Sequence, residues 1–297
     1  MNSYPHLHKN CLEKLEWDVE ARIRDIQQPR WIGYPRAHEV LQRFEDLLVH
    51  PRVSRMPNLM LIGRTNNGKT ELLRKFCQQH LPDPNTSGDS FIAPVLYIQA
   101  PPTPSESDLY VQILNNLYER VPASSIAAKR SRVIDVLEKI DLKVLCIDEL
   151  HNSLAGSSVK QQHFLNTLKY LGNELKISFI ASGTEDLLRA TSIDSQIQNR
   201  FEPILLKKWT LTKEFRQLLR TFESILPLKE PSKLHSGLMS KKLLALSEGT
   251  IGELSTLLNK ATVYAIKRGI ECIDMEVLAK CGYISPSDRT KSASLGI

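Results

Sequence analysis

The sequence lacks long apolar runs and a secretion signal. No stretch approaches the roughly 20 apolar residues that a membrane-spanning helix needs, and the first ten residues, MNSYPHLHKN, have neither a basic start nor an apolar core. The five cysteines include no CxxC pair, and the eight histidines show no metal-ligand spacing. Disulfide scaffolds and zinc ribbons are therefore disfavoured. We expect a soluble, intracellular chain with no membrane partner.

The composition is nevertheless that of a folded protein. Of the 297 residues, 41% are hydrophobic and 24% are charged, which is enough apolar material for a core and too balanced for global disorder. The length fits one large domain or two modest ones. The net charge of +6 is a weak indication of a polyanionic partner, because many soluble proteins are equally basic.

Apolar runs alternate with helical patterns through the middle of the chain. They span 58–63, 93–99, 143–148 and 176–182, with a weaker run at 203–206. Continuous runs are typical of strands covered on both faces of a parallel sheet, and their alternation with helices predicts an α/β layer architecture. After residue 210 only helical patterns follow, which predicts a small all-helical domain.

A phosphate-binding loop is the strongest motif. Residues 63–70 read GRTNNGKT, a full match to GxxxxGK[ST], between an apolar run and a helix-like ELLRKFC. The glycines let successive backbone N–H groups face phosphate oxygens, and the helix N-terminus adds partial positive charge. Lys69 can reach the β- and γ-phosphates, and the Thr70 hydroxyl can ligate Mg²⁺. The predicted nucleotide-binding residues of this segment are Gly63, Arg64, Thr65, Asn66, Asn67, Gly68, Lys69, Thr70 and Glu71.

A second motif supplies two carboxylates. The run VLCIDEL at 144–150 ends in Asp148, which can hold Mg²⁺ through water, and Glu149, which can act as a base on the attacking water. The acidic pair could instead simply begin the next helix, where it suits the helix dipole. With a phosphate loop in the same chain, we favour the metal-and-base interpretation and nucleotide hydrolysis.

With these motifs, the sequence resembles the AAA+ ATPases and, more narrowly, the TniB/TnsC transposition regulators. The likeness spans residues 31–280 and is also carried by other stretches, namely WIGYPRAHEVLQRFEDLL at 31–48, ISFIASGT at 177–184, QIQNRF at 196–201 and EGTIGELSTLLNKA at 248–261. It implies the P-loop NTPase (AAA+) fold, a three-layer α/β arrangement around a parallel sheet followed by a small all-helical lid domain. The expected division is an N-terminal helical arm at 1–30, the nucleotide-binding domain at 31–209, the lid at 210–283 and a flexible tail at 284–297.

The resemblance also assigns roles in hydrolysis. Ser182 or Thr184 would act as sensor 1 at the γ-phosphate, unless these residues form only a local turn. Arg200 would be the arginine finger that reaches a neighbouring subunit's nucleotide. Arg189 is a second candidate for that role, and Arg200 could instead form an ordinary ion pair on the surface.

Three further positions follow from the same likeness. Ile32 and Tyr34 would line the adenine pocket, although core packing also explains an aromatic residue there. Gly252 stands where many AAA+ proteins carry the sensor 2 arginine, and Glu253 follows it. Without that cation, we expect ATP hydrolysis to be slow and the lid to contact nucleotide through its backbone.

The function implied is an ATP- and Mg²⁺-dependent regulator of transposition, a form of DNA recombination. Such proteins form rings or helical filaments on double-stranded DNA in the bacterial cytoplasm, and they connect a TniQ-type target selector to a DDE-type transposase. The alternatives are a replication loader or initiator of the DnaC or Orc type, a DNA-independent STAND-type signalling NTPase and a metabolic P-loop kinase.

A duplex partner would be held through its phosphates, since no sequence-reading motif is present. Lys129, Arg130 and Arg132 form a basic cluster, and Thr103 lies in an earlier loop that carries no cation. We expect these four residues to contact DNA in a sequence-independent manner. The cluster could equally be a solvated helix face.

Overall fold

The computed structural model describes residues 4–88, 90–154, 157–192 and 198–295. It contains two compact units. The α/β unit is Arg36–Lys207, and the helical unit combines Met1–Pro35 with Lys208–Ile297.

The α/β unit is built on one five-stranded sheet. The strands are β1 (Asn58–Gly63), β2 (Val95–Gln99), β3 (Val144–Asp148), β4 (Ser178–Gly183) and β5 (Phe201–Leu206). They are all parallel, in the order β2-β3-β4-β1-β5. The carboxyl ends of β1, β4 and β3 therefore lie side by side, which is the edge where ligands bind in open parallel sheets.

The helices alternate with these strands and then continue alone. In chain order they are α1 (Lys9–Leu12), α2 (Val19–Gln27), α3 (Pro35–Leu48), α4 (Lys69–Gln79), α5 (Glu106–Asn116), α6 (Ile126–Lys139), α7 (Ser158–Leu175), α8 (Glu185–Ser192), α9 (Lys213–Ile225), α10 (Gly237–Ser247), α11 (Ile251–Arg268), α12 (Met275–Lys280) and α13 (Pro286–Leu295).

Burial explains why the strand segments read as continuous apolar runs. Every residue of β1, β3 and β4 is buried, since these central strands are covered on both faces. All five predicted strands are present, with β4 shifted to end at Gly183. The predicted fold class, a P-loop AAA+ three-layer arrangement with a helical C-terminal region, is confirmed.

The helical unit differs from the expected division because it includes the N-terminal segment. Ile26 of α2 is fully buried in a core with Phe215, Leu218 and other apolar side chains of the C-terminal helices. Arg22, only 4% exposed, forms an ion pair with Glu271. Residues 1–30 are therefore not a separate arm, because their apolar face completes the core of the helical unit.

The segment expected to be a flexible tail contains a helix. The Ser285 hydroxyl accepts a hydrogen bond from the Asp288 N–H at 3.3 Å, at the start of α13. Pro286 is the first helical residue, a position where proline is favoured because no N–H is needed there. The Ser-Pro-x-Asp pattern is a helix-start signal that the sequence analysis missed.

No helix in the described ranges combines the length and the apolar character needed to cross a bilayer.

Candidate nucleotide-binding site

The phosphate loop connects β1 to α4 in a wound conformation. Gly68 has φ of +86° and Asn66 has φ of +61°, and a residue with a Cβ is strained at the glycine's angle. The Asn67 side chain is buried and donates to the Leu206 carbonyl at 2.9 Å, which ties the loop to the end of β5. A Cβ on Gly63 would lie 3.1 Å from the Leu206 Cβ. A side chain at position 63 would therefore press against β5, and glycine avoids that contact.

Lys69 begins α4 and folds back over the loop. Its ammonium group donates to the carbonyls of Gly63 and Arg64, each at 3.1 Å. Burial lowers the pKa of Lys69, and the Glu149 and Asp148 carboxylates partly oppose this shift. Those carboxylates act on the ammonium across the same pocket, so the two sequence motifs face one site.

Asp148 accepts hydrogen bonds from four donors. The Thr70 hydroxyl donates to Oδ2 at 2.7 Å and the Tyr97 hydroxyl donates to the same oxygen at 2.9 Å. The Glu149 N–H donates to Oδ1 at 3.0 Å, and the Ser182 hydroxyl also donates to Oδ1. Hydrogen bonds from four donors to one buried carboxylate fix the orientation of the Asp148 side chain.

The arrangement fits Mg²⁺ with a nucleoside triphosphate. A threonine hydroxyl and a carboxylate lie in contact beside a buried lysine, which is the donor set used for Mg²⁺ and the β/γ-phosphates in P-loop enzymes. Thr70 and Asp148 would hold the cation, and Lys69 with the loop amides would hold the phosphates.

Glu149 follows β3 in a left-handed backbone conformation, with φ of +55°. A non-glycine residue there costs about 1–2 kcal/mol, and such strain is concentrated at functional sites. The His151 Nδ1 lies 3.2 Å from Glu149 Oε2, although the two atoms are not aligned as a hydrogen bond. The left-handed backbone at Glu149 therefore places the two neighbouring carboxylates in different surroundings. Asp148 accepts from four donors, and Glu149 lies beside the His151 imidazole.

The two sensor 1 candidates take different positions. The Ser182 hydroxyl is buried on Asp148 and also lies 3.3 Å from the Glu149 N–H. The Thr184 hydroxyl instead donates to Asp186 at 3.2 Å, a local contact. The structure thus brings Ser182 to the site, whereas Thr184 makes the local turn contact that was the alternative.

The arginine finger candidates lie away from this site. Arg200 precedes β5, and its guanidinium donates to Asn173 at 2.9 Å. Phe201 pairs with Asn58 and Leu206 with Gly63, so Arg200 lies at the opposite end of the sheet, about 17 Å from the phosphate loop at about 3.3 Å per residue. Arg189, 76% exposed, is 3.3 Å from Asp186 on its own helix. Gln196 and Ile197 of the QIQNRF stretch lie outside the described residues.

Other predicted nucleotide-binding residues are on the surface or in the helical unit. Arg64, Thr65 and Asn66 are exposed, and Glu71 is 3.6 Å from Arg74. Ile32 and Tyr34 pack against the core of the helical unit. The Tyr34 and Trp209 rings are in edge-to-face contact there, with their centroids 5.2 Å apart.

Gly252 lies in the first turn of α11, and the neighbouring Glu253 accepts from the Tyr283 hydroxyl at 2.7 Å and contacts Arg289. Roles for Ile32, Tyr34 and Gly252 in nucleotide binding stay predictions.

The predicted DNA-binding cluster is largely paired within the chain. Arg130 donates to Glu106, and Arg132 donates to Glu119 at 2.6 Å. The Lys129 ammonium donates to the Ser107 hydroxyl at 2.9 Å, and Thr103 is exposed. The cluster therefore connects α5 to α6, and its charge is balanced by acidic residues that a sequence pattern did not associate with it.

Two residues at the site were missed by the sequence analysis. Tyr97 lies in the middle of β2, where its register partner is Cys146. Burial and the Asp148 charge raise the pKa of Tyr97 well above its usual value, so it remains a donor to that carboxylate. A polar aromatic residue between the apolar residues Leu96 and Ile98 was its only signal. His151 was overlooked because it carries no metal-ligand spacing.

Comparisons with known proteins agree with this geometry. The structure is similar to that of the Aeropyrum pernix ORC1 protein in complex with DNA, with a TM-score of 0.61, 16% identity, and coverage of 87% of this chain and 68% of that chain. It is also similar to CDC6P from Pyrobaculum aerophilum, with a TM-score of 0.59, 17% identity, and coverage of 86% and 69%. At such identities the likeness shows the AAA+ fold alone.

Sequence comparisons give the family. No curated protein matches this chain significantly. The profile of the family described as "Bacterial TniB protein" matches residues 22–211, which is more than half of the sequence. The chain belongs to the bacterial TniB family.

Proposed function

We propose that this protein is an AAA+ ATPase that oligomerises on duplex DNA in its ATP-bound state and links target selection to a DDE-type transposase. The observation that carries the proposal is the contact of Thr70 and Ser182 with Asp148 beside buried Lys69. Membership of the TniB family supports the connection to transposition. The target selector would be of the TniQ type.

In this proposal, the chain's own residues would carry out the steps of hydrolysis. The Lys69 ammonium would exchange its loop carbonyls for phosphate oxygens, and Thr70 and Asp148 would hold Mg²⁺. When bound, the cation neutralises charge that develops on the transferred phosphoryl group. Glu149 would accept a proton from the attacking water, and Ser182 would keep Asp148 oriented. Thr184 could still reach the γ-phosphate if its bond to Asp186 opened.

Slow hydrolysis would make the nucleotide state a switch. Gly252 offers no side-chain cation, so transition-state charge would depend on a neighbouring subunit's arginine. ATP-bound subunits would assemble on DNA, and hydrolysis would release them. The Aeropyrum pernix ORC1 protein in complex with DNA and Drosophila ORC bound to DNA are examples of proteins with this fold that bind DNA.

Assembly should depend on both DNA and a triphosphate. We expect rings or filaments by electron microscopy when the purified chain is mixed with duplex DNA and a non-hydrolysable ATP analogue, and none with ADP. A DDE-type transposase should co-sediment with the triphosphate form only. Assemblies that form equally with ADP would contradict the switch. Assemblies that ignore DNA would favour the STAND-type alternative, and preference for one DNA sequence would favour a replication initiator.

Arg200 should act on the nucleotide of a neighbouring subunit. Arg200→Ala and Glu149→Gln are each expected to hydrolyse ATP very slowly, since one lacks the finger and the other lacks the base. A 1:1 mixture should recover roughly a quarter of the wild-type rate, because head-to-tail contacts place intact Arg200 against intact Glu149 at one interface in four. The matched control is Arg189→Ala, which should hydrolyse ATP alone at the normal rate. A mixture that stays inactive would contradict the assignment.

A further inference from the structure

Helix α9 carries three cations on one face. Lys213, Arg216 and Arg220 are exposed and are spaced by three and four residues. At 100° per residue they fall within an arc of about 60°. The opposite face is buried in the core of the helical unit, through Phe215, Leu218, Leu219 and Phe222. We call the exposed side, defined by Lys213, Arg216 and Arg220, the basic face of α9.

These cations have no partner within the described part of the chain. None of the three side chains takes part in a hydrogen bond or an ion pair there, in contrast to the side chains of Arg130 and Arg132. Glu214 is on the flank of the helix, about 100° from Lys213. Glu223 is 7% exposed, and its carboxylate accepts from the backbone N–H groups of Lys233 and Leu234. Among the described residues, the positive charge of the basic face is therefore not neutralised by an ion pair.

The N-terminal segment extends this surface. The His8 N–H donates to the Ser224 carbonyl at 2.8 Å, which fixes the start of α1 at the C-terminal end of α9. Lys9, the next residue, is exposed and has no partner among the described residues. A fourth cation is thus carried by α1, which starts at the C-terminal end of α9.

We propose that the basic face of α9 binds the phosphate backbone of duplex DNA without reading its bases. This rests on the DNA association proposed above. The three cations span about 10 Å of helix axis, a length over which one strand of B-DNA carries about three phosphates. Phosphate contacts of this kind come from exposed arginine, lysine and glutamine side chains, and Gln217 lies between the cations.

The composition of the face favours nucleic acid over a protein partner. Protein interfaces are centred on aromatic or aliphatic side chains that become buried. None of the exposed large apolar side chains among the described residues belongs to α9. Charge without an apolar centre is the pattern that sequence-independent phosphate binding requires.

The test is a DNA-binding titration of a triple variant, Lys213→Gln, Arg216→Gln and Arg220→Gln. Affinity for a labelled duplex is measured by fluorescence anisotropy with a non-hydrolysable ATP analogue at several salt concentrations. We expect binding at least about tenfold weaker at low salt. The slope of log K against log salt should decrease by up to about 2.7, which is 0.9 for each lost phosphate contact.

Matched variants separate the face from net charge. Lys241→Gln, Lys242→Gln and Lys267→Gln remove three exposed cations elsewhere in the same unit and should leave affinity nearly unchanged. Lys213→Arg, Arg216→Lys and Arg220→Lys should bind as the wild type does, since charge is retained. Unchanged nucleotide binding and circular dichroism show that each variant is folded.

Each outcome is decisive. If the wild type binds DNA and the triple variant keeps its affinity and salt slope, the basic face is not the DNA contact, although the proposed function stands. Equal losses in both Gln variants would mean that only net charge matters, which overturns the inference. Loss of transposase binding with unchanged DNA binding would assign the face to a protein partner and also overturn it. A wild type that ignores duplex DNA in every nucleotide state would end both proposals.

Discussion

Glu149→Gln is expected to bind ATP like the wild type and to hydrolyse it about 10²- to 10⁴-fold more slowly, the usual contribution of a general base. The amide keeps the size of the side chain beside His151 and does not disturb the four donors to Asp148. DNA-bound assemblies should therefore persist after ATP is added, since release depends on hydrolysis. Phosphate release and the lifetime of assemblies by electron microscopy measure the two effects.

Glu185→Gln is the matched control for this variant. Glu185 is an exposed carboxylate at the start of α8 and does not contact Asp148. Its replacement should leave hydrolysis within about twofold of wild type, as surface changes away from a site usually do. Normal turnover by Glu149→Gln would show that another group accepts the proton.

Lys69→Ala is expected to weaken binding of both ATP and ADP by at least about 100-fold, because a charge-assisted contact to phosphate is lost. The folded protein should tolerate the change, since burial already disfavours the lysine cation and the loop is also held by Asn67. Isothermal titration calorimetry with Mg²⁺-nucleotide measures the affinity, and thermal unfolding measures the stability.

Lys143→Ala provides the comparison for Lys69→Ala, because Lys143 is an exposed lysine in the same unit. It should bind nucleotide normally. Wild-type affinity in Lys69→Ala would be incompatible with phosphate binding at this loop, and every role proposed for Asp148 and Glu149 would fall with it.

Much of the α/β unit could be predicted because its signals are local. The runs at 58–63 and 143–148 are continuous and apolar, since they form central strands buried on both faces. The two motifs also predicted Thr70 and Asp148 at one site, and the Thr70 hydroxyl lies 2.7 Å from Asp148 Oδ2. A parallel sheet brings its carboxyl ends together whatever the intervening segments contain.

Contacts between segments far apart in sequence could not be predicted in the same way. Arg130 pairs with Glu106, which neutralises charge in a cluster whose sequence shows no acidic partner. The apolar spacing around Ile26 would be the same in an isolated helix as in a helix that packs into the core of a distant segment. Tyr97 was missed because its partner, Asp148, is 51 residues away. Each of these depends on topology rather than on local pattern.

The helical unit is built from two segments that are far apart in the sequence, which constrains the order in which the two units can fold during synthesis. Arg22 is synthesised 249 residues before its partner Glu271, and Ile26 is likewise made long before the apolar side chains of the C-terminal helices that bury it. The sheet, encoded between them, can reach its native topology first. Nascent chains would then carry an exposed amphipathic α2, a target for chaperones or proteases until the helices that cover it have been synthesised.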